Sequence, residues 1–378
     1  MSRVGRLLAA AILALGLAAR PAWSQRPQIG GQATAWLTSQ PDTAAVSQLG
    51  LRYIPELTLQ RPLGGADSLA VDLAPDASVT GDFGRGAPPA WDATLKPYRA
   101  WMRFATHRFE TRVGLQKIEF GSATLFRPLM WFDRVDPRDP LQLTNGVTGA
   151  LARYYFPNNA NVWGWALVGN RPPKGWETFA TERGTVEAGG RVQTPVPAGE
   201  LGLTYDHREA DLRSLAAGYV PEDRYGVDGK WNLGFGLWGE AALVHERATV
   251  VPAYQRFWTV GADYTVGVGN GLYVLAEQAR VDAPASPLGS GPGVDVTGVL
   301  LNYPVGILDR VSAIVYRDWQ GAGRWYRILT WQRAYDVWTF YLLAFWNPAQ
   351  PLGLGLGSGQ ASQAFAGRGL QLMVTFNH

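Results

Sequence analysis

Apolar and polar residues alternate along most of this chain, in runs of about ten residues. In YRAWMRFA, Tyr98, Ala100, Met102 and Phe104 fall on one side, and Arg99, Trp101 and Arg103 on the other. After a short turn at 106–108, FETRVGLQKIEF sets Phe109, Thr111, Val113 and Leu115 against Glu110, Arg112, Gly114 and Gln116. A period of two is the period of a β-strand, whose successive side chains point to opposite faces. The pair therefore predicts a hairpin that runs on to Phe120, with one apolar and one strongly charged face.

The pattern recurs. NVWGWALVG puts Trp163, Trp165 and Leu167 on one face, and ELGLTYDHR sets Leu201, Leu203 and Tyr205 against Glu200, Thr204 and Asp206. FWTVGADYTV sets Trp258, Val260, Ala262 and Tyr264 against Thr259, Gly261 and Asp263; DRVSAIVYRD and RGLQLMVTFN behave alike. Further runs begin near Gly31, Gln48, Ser68, Val147, Thr185, Asp223, Phe235, Gly271, Val294, Arg324 and Val337. Together they predict an all-β chain of about 16–18 strands. Short turns at 197–199 and 269–270 alternate with long Gly- and Pro-rich loops at 171–184, 282–293 and 352–367, the asymmetry of an antiparallel up-and-down β-barrel. No linker divides the chain, so residues 25–378 read as one domain.

The N-terminus changes where this barrel belongs. Arg3 and Arg6 precede an apolar core from Leu7 to Ala19, and the small residues Ala22 and Ser24 follow, which predicts a cleaved secretory signal at 1–24. Its removal takes away Arg3, Arg6 and Arg20 and no acid, bringing the formal charge from +3 to neutral. A neutral mature chain gives no reason to expect a nucleic-acid partner. No mature run reaches the ~18 apolar residues of a spanning helix, whereas ~10-residue strands suit a tilted crossing of a bilayer. Strands of soluble sandwiches average five or six residues. In lipid the apolar faces turn outward and the Arg, Glu and Gln faces line a wet lumen. Aromatics near run ends (Trp91, Tyr98, Tyr154, Tyr155, Trp163, Trp231, Trp325, Trp338 and Trp346) fit interfacial girdles. A soluble propeller or sandwich, polar face outward, is the competing architecture.

In the last strand, Leu370, Leu372, Val374 and Phe376 alternate up to a near-terminal aromatic, which resembles the assembly signal of bacterial outer-membrane proteins, although Asn377 and His378 follow it. With LRYIPELTL from Leu51, GLQKIEFGSATLFRPLMWFDRVDPRDPLQL and ARYYF, the chain resembles bacterial outer-membrane porins. The resemblance implies a transmembrane β-barrel with a water-filled lumen in a Gram-negative-type outer membrane. The partners expected are outer-membrane lipid and lipopolysaccharide, the barrel-assembly machinery at the C-terminal strand, and small hydrophilic solutes. It names no solute, and monomer and homotrimer both remain open.

Candidate chemistry is sparse. There is no cysteine, hence no disulfide, thiolate nucleophile or thiolate metal site. The four histidines, His107, His207, His245 and His378, form no metal-binding spacing, and Asp206 and His207 point to opposite faces of their strand. GSGPG and GLGLGSG lack the lysine and helix that phosphate cradling needs. No enzyme constellation and no cofactor is expected. An outer-membrane enzyme remains a third class without a candidate residue, and a partner-holding barrel with a plugged lumen is the main alternative to a channel.

One segment stands out. FRPLMWFDRVDPRDP, from Phe126 to Pro140, mixes Arg127, Arg134 and Arg138 with Asp133, Asp136 and Asp139 among large apolar residues and three prolines. It lies in a loop, 121–146, far longer than a hairpin requires, and long structureless loops are usually functional. Proline stiffness and aromatics that need burial predict that it folds into the barrel mouth or lumen and narrows the pore, its apolar side on the wall and some of its charges paired with wall charges; a surface cap packed on other loops is the alternative. The three Asp are also a weak candidate for a hard cation. Arg99, Trp101, Arg103, Glu110, Arg112 and Gln116 would line the wall opposite. Arg in excess of acid along such a wall predicts mild anion preference, against the plainer reading that Arg–Glu pairs only brace the wall.

Overall fold

The computed structural model describes residues 27–42, 45–84, 86, 88–136, 138–320, 323–348 and 365–378. The signal at 1–24, Pro137 and most of the Gly-rich stretch 352–367 lie outside the described residues. The alternating runs become β1 (Gln28–Ser39), β2 (Ala45–Gly64), β3 (Asp67–Gly84), β4 (Ala90–Ala105), β5 (Phe109–Gln116) and β6 (Val147–Tyr155). Then follow β7 (Asn161–Val168), β8 (Val186–Val196), β9 (Gly199–Asp211), β10 (Tyr219–Asn232), β11 (Gly236–Glu246) and β12 (Tyr254–Val266). The rest are β13 (Leu272–Asp282), β14 (Gly293–Pro304), β15 (Asp309–Asp318), β16 (Arg324–Ala334), β17 (Trp338–Trp346) and β18 (Arg368–Asn377).

Each strand pairs antiparallel with the next, and β18 returns to β1, so the 18-stranded sheet closes on itself. The last residues take part in the closure: Gly31 and His378 exchange backbone hydrogen bonds of 3.1 Å in both directions. Followed once around, the register slides by about 22 residues. With ordinary strand spacing this tilts the strands by roughly 40° to the barrel axis, as closed barrels require.

The two faces are inverted relative to a water-soluble protein. Leu51, Leu203, Val260, Leu370 and Leu372 are exposed on the outside, while Asp206, Arg208, Glu222, Arg224, Glu277 and Asp318 are buried inside. Only an apolar surrounding phase stabilises that arrangement. The rims differ as well. At one rim the connections are short, such as 65–66, 106–108, 197–198 and 233–235. At the other lie 117–146 and 169–185, and β5 to β7 are only eight or nine residues long against twenty in β2.

Two expectations are corrected. β5 ends at Gln116 rather than running to Phe120. Gly114 has φ of 123° and sits so close to the opposite strand that a Cβ would come 2.2 Å from the Ala100 carbonyl. Pairing continues through Gly114 to Gln116 and stops there, and Phe120 turns inward to stack on Trp165 with ring centroids 5.6 Å apart. Trp163 is not in the girdle either. It faces inward beneath Arg153, whose guanidinium carbon lies 3.8 Å from the ring centroid.

Candidate functional site in the barrel lumen

The loop 117–146 enters the barrel because its large apolar residues have nowhere else to go. Leu125, Phe126, Leu129, Trp131 and Phe132 are at most 2 % exposed. Phe126 packs on Tyr316 of β15 at 5.2 Å between centroids, and Phe132 packs on Trp165 of β7 at 5.4 Å. The backbone carried inside needs partners, and two wall carboxylates supply them. Glu240 of β11 accepts from the N–H groups of Ser122 at 2.8 Å, Ala123 at 2.9 Å and Leu129 at 2.5 Å. Glu277 of β13 accepts from Thr124 at 2.7 Å, Leu125 at 2.9 Å and Phe126 at 2.7 Å, and from the Trp238 indole at 2.9 Å.

The loop's own charges mostly stay local, which corrects the expected pairing with wall charges. Arg127 pairs with Glu119, which also holds Lys117. Arg138 grips Asp136 through both its Nε and Nη2, at 2.8 and 2.7 Å. Asp133 accepts from the Gly146 amide at 2.7 Å and Asp139 from the Leu141 amide at 2.9 Å. A residue two positions away in a turn reaches its partner at less entropic cost than the wall does. Burial pushes the carboxyls of Asp133 and Asp139 up from their ordinary value; the Gly146 and Leu141 amides oppose this, as do Arg99 and Arg52 from the wall. Among the described residues no group of His, Asp and Glu is arranged to hold a metal, so the three Asp do not form a cation site.

A second loop, 169–185, locks the first in place. Arg134 donates to the carbonyls of Gly175 at 3.0 Å and Glu177 at 3.1 Å, and the Trp176 indole donates to the Arg127 carbonyl at 2.8 Å. Gly175 has φ of 43°, and a Cβ there would lie 2.0 Å from the Met130 carbonyl. Beneath it Glu177 meets Lys174 at 2.8 Å, Arg224 at 2.7 Å and Arg208 at 3.4 Å. Burial alone would raise the Glu177 carboxyl; Arg208, Arg224 and Lys174 outweigh it and hold the group below its ordinary value.

The inner wall of β2 to β6 is different. Its basic side chains are partly exposed rather than covered, while Asp72 and Asp76 beneath them are buried. Arg52 lies 3.3 Å and Lys96 3.8 Å from Asp76. Arg99 donates to Thr144 at 2.7 Å, where the loop returns to the wall. Nearer the short-turn rim, Arg103, Arg112 and Arg153 share one acid, Glu110, at 3.2, 3.3 and 3.8 Å. Arg112 lies over Trp101, 4.6 Å from the ring centroid. Gln116 is fully buried and ties the wall together by donating to the carbonyls of Arg112 and Gly149. Arg52, Lys96, Arg153, Glu240 and Glu277 were not singled out from sequence. Inward parity was their only signal, and many residues share it.

On the outer face, His207 meets Asp223 of the neighbouring strand at 2.8 Å, with the Tyr205 hydroxyl on the same carboxylate at 2.8 Å. The Asp206 beside it faces the lumen, as strand parity requires.

No protein-family model matches the sequence, and no curated protein does. Solved structures do match. Pseudomonas aeruginosa OccK5 (OpdH) superposes with a TM-score of 0.60 over 93 % of this chain and 97 % of its own, at 10 % identity. Salmonella typhi OmpF, in complex with daunomycin, gives 0.51 over 94 % and 98 %, at 8 % identity. This is the porin fold. An anion-selective porin from Comamonas acidovorans also matches, with a TM-score of 0.49 at 14 % identity. Identities this low speak for the fold alone. Within the porin fold, this chain holds two inward loops against one half of the wall and leaves a basic stripe on the other.

Proposed function

We propose that the protein is an outer-membrane porin of a Gram-negative-type bacterium, a passive channel for small hydrophilic solutes with mild anion preference. The observation that carries the reading is the contrast inside the barrel. Loops cover the wall from β7 to β15, and partly exposed cations, Arg52, Lys96, Arg99, Arg103, Arg112 and Arg153, stand along β2 to β6, with Asp76 and Glu110 between them and Glu56 and Asp72 on the same wall. Near the short-turn rim a solute that passes between loop and wall meets Arg103, Arg112 and Arg153 around the one carboxylate of Glu110, and guanidinium forks bind carboxylates and phosphates bidentately. Loop 117–146 is the constriction. Arg127, Asp133, Arg134, Asp136, Arg138 and Asp139 shape it mainly by fixing the loop. No catalytic role is assigned to any residue.

Planar-bilayer recording from the pure folded protein tests this. The expected result is discrete open-state current whose reversal potential in a KCl gradient is displaced toward chloride. Replacing Arg103, Arg112 and Arg153 with Gln should move it toward potassium. The density of contacts holding both loops favours a second reading, a barrel plugged at rest, and absence of any open-state current would establish it against the first.

A further inference from the structure

A charge on the lipid-facing wall of a barrel is tolerated near the interface, where headgroups and water reach it, and disfavoured deeper. At the rim that carries the long loops, several outward charges satisfy one another. Arg280 meets Asp295 at 2.6 Å, and Arg368 meets Asp42 at 2.8 Å. Arg317 of β15 and Arg327 of β16 are different. They point outward, because Tyr316, Tyr326 and Ile328 alternate with them and are buried inside. Among the described residues neither forms an ion pair, and the Nε of Arg317 has no hydrogen-bond partner.

Indoles hold both guanidiniums instead. The Arg317 guanidinium carbon lies 3.8 Å from the Trp319 ring centroid and 5.0 Å from that of Trp325, and Arg327 lies 5.6 Å from Trp325. The register sets Arg317 opposite Trp325 and Arg327 opposite Trp346. Trp319 is fixed by its indole donating to Thr297 Oγ1 at 2.7 Å. All three indoles are exposed, which marks the depth of the interface. Directly opposite Arg327 on β15 is Val315, and Leu329, two residues further toward the barrel's middle, is exposed and apolar.

We propose that Arg317 and Arg327 form a binding site for a phosphate on a lipid headgroup in the leaflet at the loop-bearing rim. Two unpaired forks on one face take phosphate oxygens bidentately. The stacked rings fix the forks in place, and because the Nε of Arg317 is shielded from solvent, its two Nη groups make the bidentate contact. The apolar wall below Arg327 accepts acyl chain, which selects a phosphorylated lipid over free phosphate. The site depends on the barrel spanning a membrane and not on its being a channel.

Native mass spectrometry of the folded barrel in detergent tests the site, with a diphosphorylated lipid A, its dephosphorylated form and inorganic phosphate as probes. The phosphorylated lipid should bind the wild type, and Arg317→Gln/Arg327→Gln should weaken that binding roughly tenfold or more, the loss expected for two charge-assisted contacts. The dephosphorylated form should bind weakly and be insensitive to the substitutions. Equal binding of phosphorylated lipid by wild type and variant overturns the proposal. So does full displacement of the lipid by an equal concentration of inorganic phosphate, which would assign the site to the free ion. Arg327→Gln alone gives the same reading with a smaller loss should the double variant fail to fold. Single-channel conductance, a property of the other face, should be unchanged in both variants.

Discussion

The two halves of the inner wall use the same residue types for different work. Along β8 to β13, most acids and arginines are buried and paired, as where Arg208 meets Glu222 at 2.7 Å and Arg191 meets Asp228 at 2.6 Å. Along β4 to β6, three arginines share Glu110 and remain partly exposed. A charge at low dielectric with its partners satisfied acts as a rivet, and removing one partner leaves the other uncompensated. A charge in contact with lumen water keeps spare donors for a passing anion. Composition does not separate these roles; burial does, and burial here is decided by where two loops fold.

The comparison is broken most severely by releasing the larger loop. Glu240→Gln combined with Glu277→Gln removes the charged acceptors of six loop amides. Hydrogen bonds to charged groups contribute about 1.5–3 kcal/mol each, so docking should weaken by several kcal/mol. Limited proteolysis should then cut within 117–146, and conductance should rise several-fold with loss of ion preference. A variant that stays protease-resistant with unchanged current would show that apolar packing alone seats the loop.

A smaller effect is expected at Gly175. Alanine there adds a Cβ that would lie 2.0 Å from the Met130 carbonyl, at φ of 43°. Such strain costs on the order of 1–3 kcal/mol. Loop 169–185 should loosen while the grip of Glu240 and Glu277 persists, giving noisier current of nearly normal mean size. Unaltered noise and unaltered proteolysis of 169–185 would place the lock elsewhere.

The smallest effect is that of pH. Asp133 and Asp139 have carboxyls raised by burial, so the docked loop binds protons more readily than an undocked one. Their contribution favours docking as pH falls from neutrality toward the ordinary carboxylate value of 3.8 and disfavours it as pH rises. Glu177, held below 4.5, acts oppositely, but only under more acidic conditions. Open-channel noise should therefore decrease modestly on mild acidification, and Asp133→Asn/Asp139→Asn should weaken the dependence. An increase in noise over that range would contradict the assignment.

Much of the fold was legible because a barrel wall repeats one rule. Leu201, Leu203 and Tyr205 face out and Thr204 and Asp206 face in, as a period of two requires. The inward fold of the long loop was legible from Phe126, Trp131 and Phe132, which require burial that an exposed loop denies them. What holds it there was not. Glu240 and Glu277 look like any other inward acid, and the amides they accept from lie 111 to 153 residues away in sequence. The arginines and aspartates of the loop suggested long-range pairs, whereas Arg138 and Asp136 satisfied each other within one turn. Trp163 read as a girdle residue because parity says which residues share a face, not which face is wet.

The central claim is that loop 117–146 stands inside the barrel and leaves the passage beside it open. The chain has no cysteine, so one introduced pair reports cleanly. A Cβ on Gly226 of β10 would lie 2.4 Å from the Leu129 side chain, so Leu129→Cys/Gly226→Cys brings two thiols within disulfide reach. The account predicts that oxidation forms the intramolecular disulfide in the folded protein and leaves single-channel current and chloride preference as they were, because the native loop already sits there. Thiols that stay free and reactive under oxidation, or a disulfide that changes the open-state current, would contradict it.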